Sequence, residues 1–196
     1  MRLLLSTVLL ALFASTARGG LHVAVVAIEG NHLAEIEDVF KKCKYEVKKS
    51  SKVKTAKEAS RELGQKLDGD RVTKAAYFAS GWTFVVDTEL VMFENDVWLE
   101  YSREWKTRVI GCLCEETSGT FGLTLLKSGK KVRHVVSVDG EVKVDEGKAL
   151  TEESGMKWAE ATAKGVMNIA KRLGAEYDYL SDDREYIVFQ LKPSKD

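Results

Sequence analysis

From residue 21 onward the chain alternates between short unbroken apolar runs and segments whose apolar positions recur every three or four residues. Leu21 to Ile28, apolar but for His22, is long enough for a buried strand and too short for a helix. After Glu29-Gly30-Asn31, the positions Leu33, Ile36, Val39, Phe40 and Cys43 take up helical spacing. Asn31 suits the cap, Glu35, Glu37 and Asp38 sit early, and Lys41, Lys42 and Lys44 sit late, so each sign complements the helix dipole. Tyr45 to Val53 alternates weakly and reads as an exposed strand. Thr55-Ala56-Lys57-Glu58 is a capping-box pattern opening a second helix with Ala59, Leu63 and Leu67 on one face. Val72 to Asp87 predicts two strands broken at Ser80-Gly81. Asn95 or Asp96 caps a third helix, whose stripe is Trp98, Tyr101 and Trp105.

Arg108 to Val144 reads as an antiparallel meander with turns at Thr117-Ser118-Gly119-Thr120, Lys127-Ser128-Gly129-Lys130 and Asp139-Gly140. The last is the strongest signal, since Asp-Gly between strands suits a two-residue hairpin turn. Trp158, Thr162, Val166, Ile169 and Leu173 predict one long amphipathic helix closed by Gly174, and Tyr186 to Leu191 a final strand. The expected fold class is α+β: a mainly antiparallel sheet, including the meander, with about four helices packed against it.

The first residues change the picture of where the chain works. Arg2, the apolar run Leu3 to Phe13 and the small residues Ser15-Thr16-Ala17 have the order of a secretory leader. Residues 1–17 are therefore expected to be a signal peptide, and 18–196 a single α+β domain exported to the periplasm or secreted. The run stops at Arg18, short of the roughly 20 apolar residues a spanning helix needs, so no membrane span is expected after cleavage. The alternative is a cytoplasmic protein with a misassigned start, because the Leu21 strand follows the leader so closely.

Thirty basic and thirty acidic residues cancel to a net charge of +0, and hydrophobic residues make up 44% of the chain, as in a domain that folds around a core. Without a global positive field, nucleic acid is not an expected partner. The lysine-rich stretch Lys41 to Lys57 holds Tyr45 as its one aromatic, and helix ends and an edge strand explain it better than a nucleic-acid surface does. Cys43, Cys112 and Cys114 read as small buried apolar residues. Cys112 and Cys114 share a strand face but are too far apart in extended geometry to bridge.

Candidate chemistry is sparse. No phosphate loop, nucleophile elbow, zinc spacing or calcium loop occurs, and His22, His32 and His134 are dispersed, so neither a metal nor a cofactor is expected. His134 reads as a partly exposed strand residue. A thiol enzyme built from Cys112, Cys114 and His134 would have an intervening strand, Phe121 to Leu126, between its parts, about 9–10 Å of separation. Ser118 fits turn chemistry better than a nucleophile. The carboxylate pairs Glu115/Glu116, Glu152/Glu153 and Asp182/Asp183 read as solvated loops. Trp82, following the Ser80-Gly81 break, is a candidate for lining a groove, and the Thr117-Ser118 loop is a candidate contact surface.

The stretch Gly81-Trp82-Thr83-Phe84-Val85-Val86-Asp87, with Thr117-Ser118-Gly119-Thr120-Phe121-Gly122 and Val138-Asp139-Gly140-Glu141, resembles uncharacterised small bacterial α+β proteins over the middle third of the chain. That resemblance implies no activity and assigns no residue a role. The expectation is an exported, non-enzymatic binding or interaction domain with Trp82, Thr117 and Ser118 at its surface and a protein as a candidate partner. The alternatives are an exported hydrolase whose site is scattered through the sequence, and a cytosolic protein of another role.

Overall fold

The apolar run at the start of the body becomes His22–Glu29 (β1), which sits in the middle of the sheet and is covered on both faces. A computed structural model of the protein describes residues 20–64, 70–178 and 184–194; the expected leader, Leu67 and Asp182/Asp183 lie outside the described residues. The other strands are Tyr45–Val53 (β2), Val72–Ala79 (β3), Trp82–Asp87 (β4), Arg108–Glu115 (β5), Thr120–Lys127 (β6), Lys130–Val138 (β7), Glu141–Glu146 (β8) and Tyr186–Pro193 (β9). All pair antiparallel in one sheet of order β2-β9-β3-β4-β1-β5-β6-β7-β8. The fold is a mainly antiparallel α+β sheet.

Among the described residues the α-helices are Ile36–Lys42 (α1), Ala56–Leu63 (α2), Val97–Glu104 (α3) and Ala163–Arg172 (α4). They divide two and two. Successive side chains of a strand point to opposite faces. Val23, Val25 and Ala27 of β1 therefore join α2 and α4 in one core, while Val26 and Ile28 join α1 and α3 in the other. An antiparallel sheet often leaves one face to water; covering both is why β1, β4 and β5 read as continuous apolar runs.

Local chemistry sets the element ends. The Thr55 hydroxyl accepts from Glu58 N at 3.1 Å to cap α2, as its sequence pattern predicts. The long helix expected from Trp158 to Leu173 is a correction: Trp158–Glu160 forms a separate 3-10 turn and the helix starts at Ala163. Thr162 is extended and its hydroxyl accepts from Gly165 N at 3.1 Å, so a capping residue interrupts the apolar period. Trp158 still reaches the core, with its indole N–H donating to Glu153 at 2.8 Å.

Both sheet edges are polar. β2 carries Lys48, Lys49 and Lys52 along one edge, and β8 carries Glu141, Lys143, Asp145 and Glu146 along the other. Charge on an exposed edge discourages pairing with another chain, and the lysine-rich stretch falls on such an edge. The turn between β7 and β8 has Asp139 at φ +48° and Gly140 at φ +78°, the left-handed pair a tight hairpin requires. Replacing Gly140 with Val should lower stability by roughly 1–3 kcal/mol, the cost of forcing a β-branched residue into this region. Chemical denaturation checks it; an unchanged midpoint would contradict the turn assignment.

Candidate functional site

The cavity that draws attention lies over β1 and β5–β8, on the face that carries α1 and α3, and encloses about 290 Å³. Its floor is a row of residues running across the sheet: Val26, Gly111, Thr124, His134 and Glu146 are successive cross-strand partners on β1, β5, β6, β7 and β8. The roof is the segment from Phe93 into the first turn of α3, with Trp98 and Leu99. Lys131, Val144 and Glu146 stand along the β7–β8 side.

The roof comes close because two strand residues have no side chain. A Cβ at Gly122 would lie 2.7 Å from Phe93 Cζ, and one at Gly111 would lie 3.3 Å from Phe93 Cδ2. The ring therefore lies against bare backbone and is itself buried. Burying such a side chain is worth roughly 1.5–3 kcal/mol, enough to hold the roof strand-side at this point. Trp98, the first aromatic of the α3 stripe, is fixed by its indole N–H, which donates to Met92 O at 2.7 Å.

A buried ion pair aims the roof. Asp87 ends β4 in the next row of the same face, opposite Lys74 on β3 and Ala24 on β1, and both charged residues are fully buried. The Lys74 ammonium is bonded to Asp87 and, at 3.0 Å, to Glu89. Asp87 also accepts from Met92 N at 2.7 Å and from Glu89 N at 3.0 Å, which folds the chain back just before Phe93. Burial works against the Lys74 charge, but Asp87 and Glu89 outweigh it and hold the ammonium above its ordinary range. Burial likewise works against the Asp87 carboxylate; Lys74 outweighs it and keeps the carboxyl below the usual range.

Within the cavity, His134 corrects its expected exposure, since only 9% of its surface remains accessible. Its Nδ1 is hydrogen-bonded to the Thr124 hydroxyl at 2.7 Å, its one hydrogen bond among the described residues, so Nε2 is left without a protein partner. Burial lowers its pKa, and the charges of Lys131 and Arg133 lower it further against Glu146. Glu94, exposed at the mouth, is crowded enough that desolvation raises its carboxyl above the usual range despite Lys131. Lys131 is itself bonded to Glu146 at 3.2 Å.

The residues singled out from sequence do not assemble here. Trp82 is buried in the opposite core, with Arg108 stacked 5.0 Å from its ring and Gly174 against its edge. Thr117 is exposed and Ser118 half-buried in the β5–β6 turn, where Ser118 Oγ bonds Thr120 Oγ1 at 2.8 Å. Trp82 pairs with Glu29 and the β5 end with His22, so the two places lie a strand length apart, about 23 Å at the strand rise. None of the three lines the cavity. Cys112 and Cys114 belong to the α2/α4 core, across the sheet from the His134 face, and burial pushes the Cys114 thiol up to about 12 and Cys112 well up. Cys43 is also buried, with its thiol raised to about 12, and all three are free. Two of the carboxylates expected in solvated loops are buried: Glu115, in contact with the His22 imidazole, and Glu153, which Arg133 Nε and Trp158 bind at 2.7 and 2.8 Å. Among the described residues no group of three or more His, Cys, Asp or Glu is placed to hold a metal, and no helix is long and apolar enough to cross a membrane.

Sequence reasoning missed Gly111, Gly122, Phe93 and Thr124. The available signal was a pair of glycines inside two strands, which marks close approach of another group to the backbone. No family model, curated protein or solved structure matches the chain.

The His134 environment has a consequence for stability. The folded chain binds the imidazole proton less well than the unfolded chain, whose value is 6.5. As pH falls below that value the unfolded state takes up more protons, so His134 contributes a loss of stability on the acid side. The denaturation midpoint of His134→Gln should fall less steeply than that of the native chain as pH drops from about 6.5, the ordinary histidine range, toward 5. Parallel slopes would show that His134 is solvated.

Proposed function

We propose that the chain is a non-enzymatic binding domain, exported behind its leader, and that the cavity beneath Phe93 takes a small amphipathic molecule. The observation that carries this reading is the construction of the cavity. Val26, Val109, Leu126 and Trp98 give it apolar walls, and the unpartnered Nε2 of buried His134 offers one directed hydrogen bond. Mostly apolar walls with a few convergent polar groups are what small-ligand sites share, and about 290 Å³ stands near the lower end of their size range.

Catalysis finds less support at the same place. The thiols are buried elsewhere and held as thiols. Thr124 has His134 beside it, but its strand neighbours β5 and β7 take the surrounding backbone N–H groups into the ladder, leaving no pair of donors for a developing oxyanion.

The test uses the neutral fluorophore N-phenyl-1-naphthylamine and the full chain. The native protein should bind it saturably at one site. Val144→Trp, on the edge strand β8, fills the cavity from its side and should weaken binding at least tenfold with an unchanged thermal midpoint. No binding, or equal binding by the folded variant, overturns the reading.

A further inference from the structure

The charges around the cavity are unequal, and the inequality selects a ligand class. Three carboxylates line it, Glu94, Asp96 and Glu146, against one ammonium, Lys131, which Glu146 already holds at 3.2 Å. His134 adds no positive charge, being buried with its pKa held down. Glu94 and Asp96 have no bonded counter-charge: neither makes a side-chain hydrogen bond or ion pair among the described residues, Lys131 acts on Glu94 only through space, and the Asp96 side chain does not cap its own helix.

An anion would find little to hold it. It would have to displace Glu146 from Lys131 while facing two further carboxylates. The first turn of α3 opens at the mouth, and a helix N-terminus would ordinarily favour negative charge. Its donors are already committed, however: Val97 N donates to Asn95 Oδ1 at 3.0 Å, Trp98 N to Asn95 O at 3.2 Å and Leu99 N to Asp96 O at 3.0 Å. A cation meets the opposite situation. Glu94 and Asp96 both stand at the cavity's rim, so an ammonium placed there is attracted by two carboxylates. Below the mouth the apolar side chains of Val26, Val109 and Leu126 accept a hydrocarbon body.

We infer that the cavity's ligand is a small organic cation, with an ammonium at the Glu94/Asp96 mouth and an apolar, ring-sized body against Val109 and Leu126. This inference rests on the binding reading and narrows it. The test displaces bound N-phenyl-1-naphthylamine with three compounds of similar size and different charge: 2-phenylethylammonium, 2-phenylethanol and 3-phenylpropionate. The native chain should prefer the ammonium over the alcohol at least tenfold, with the carboxylate weakest. In the double variant Glu94→Gln/Asp96→Asn, the ammonium should fall to within about twofold of the alcohol, with fluorophore binding and the thermal midpoint kept. Equal competition by all three, or preference for the carboxylate, overturns the cation assignment while the cavity remains a binding site. Failure of the fluorophore to bind the native chain overturns both.

Discussion

The buried pair Lys74–Asp87 is the constraint on which the rest of this molecule turns. Two charges stand fully buried in the middle of a sheet whose neighbouring positions are Ala24, Leu113 and Phe189. Such a pair is weak evidence for net stability, because desolvation offsets much of the Coulomb gain, but removing one partner leaves an uncompensated buried charge and costs roughly 3–5 kcal/mol. Its value here is directional. Asp87 has acceptor capacity beyond Lys74, and the Met92 and Glu89 amides use it. A purely apolar replacement of both residues would leave those two N–H groups without a partner. The ion pair thereby links the order of the sheet to the path of the chain that leaves it.

That path makes the cavity. From Asp87 the chain returns over the sheet, buries Phe93 against Gly122 and Gly111, and enters α3 with Trp98 tied to Met92. Sheet and roof are in contact where the glycines permit it, and the Phe93 ring stands 5.9 Å from the His134 ring at the cavity's edge. On the other face Arg133, Glu153 and Trp158 form a comparable buried polar group that pins the segment before α4 to β7.

Much of the fold was legible because it is written in local chemistry. The β1 run, the Thr55 cap, the α3 stripe and the Asp139-Gly140 turn each follow from a few adjacent residues, and each forms where its pattern places it. The order of strands was not legible: β9 inserts between β2 and β3, a pairing across more than a hundred residues that no local pattern encodes. The helix before Gly174 misled for a specific reason, since Trp158 keeps the apolar period while Thr162 breaks the backbone. The site was hidden more deeply. Lys74 and Asp87 look like ordinary surface charges until both are seen in one row, and Gly111, Thr124 and His134 lie on three strands that only cross-strand register unites. Trp82 illustrates the converse, because a residue after a turn was expected at a groove and is buried against Arg108.

The central claim is that the charge pair, through Asp87, holds the segment that roofs the cavity. Amide hydrogen exchange in the native chain and in Lys74→Met tests it directly, since exchange reports local opening separately from global unfolding. With its counter-charge removed, Asp87 loses its preference for the ionised form and binds the Met92 and Glu89 amides more weakly. Those two amides should exchange at least tenfold faster relative to the β5 and β6 ladder amides of Leu113 and Leu123. If Met92 instead keeps its native protection, or if all four accelerate equally, the roof is held by something other than this pair and the account fails.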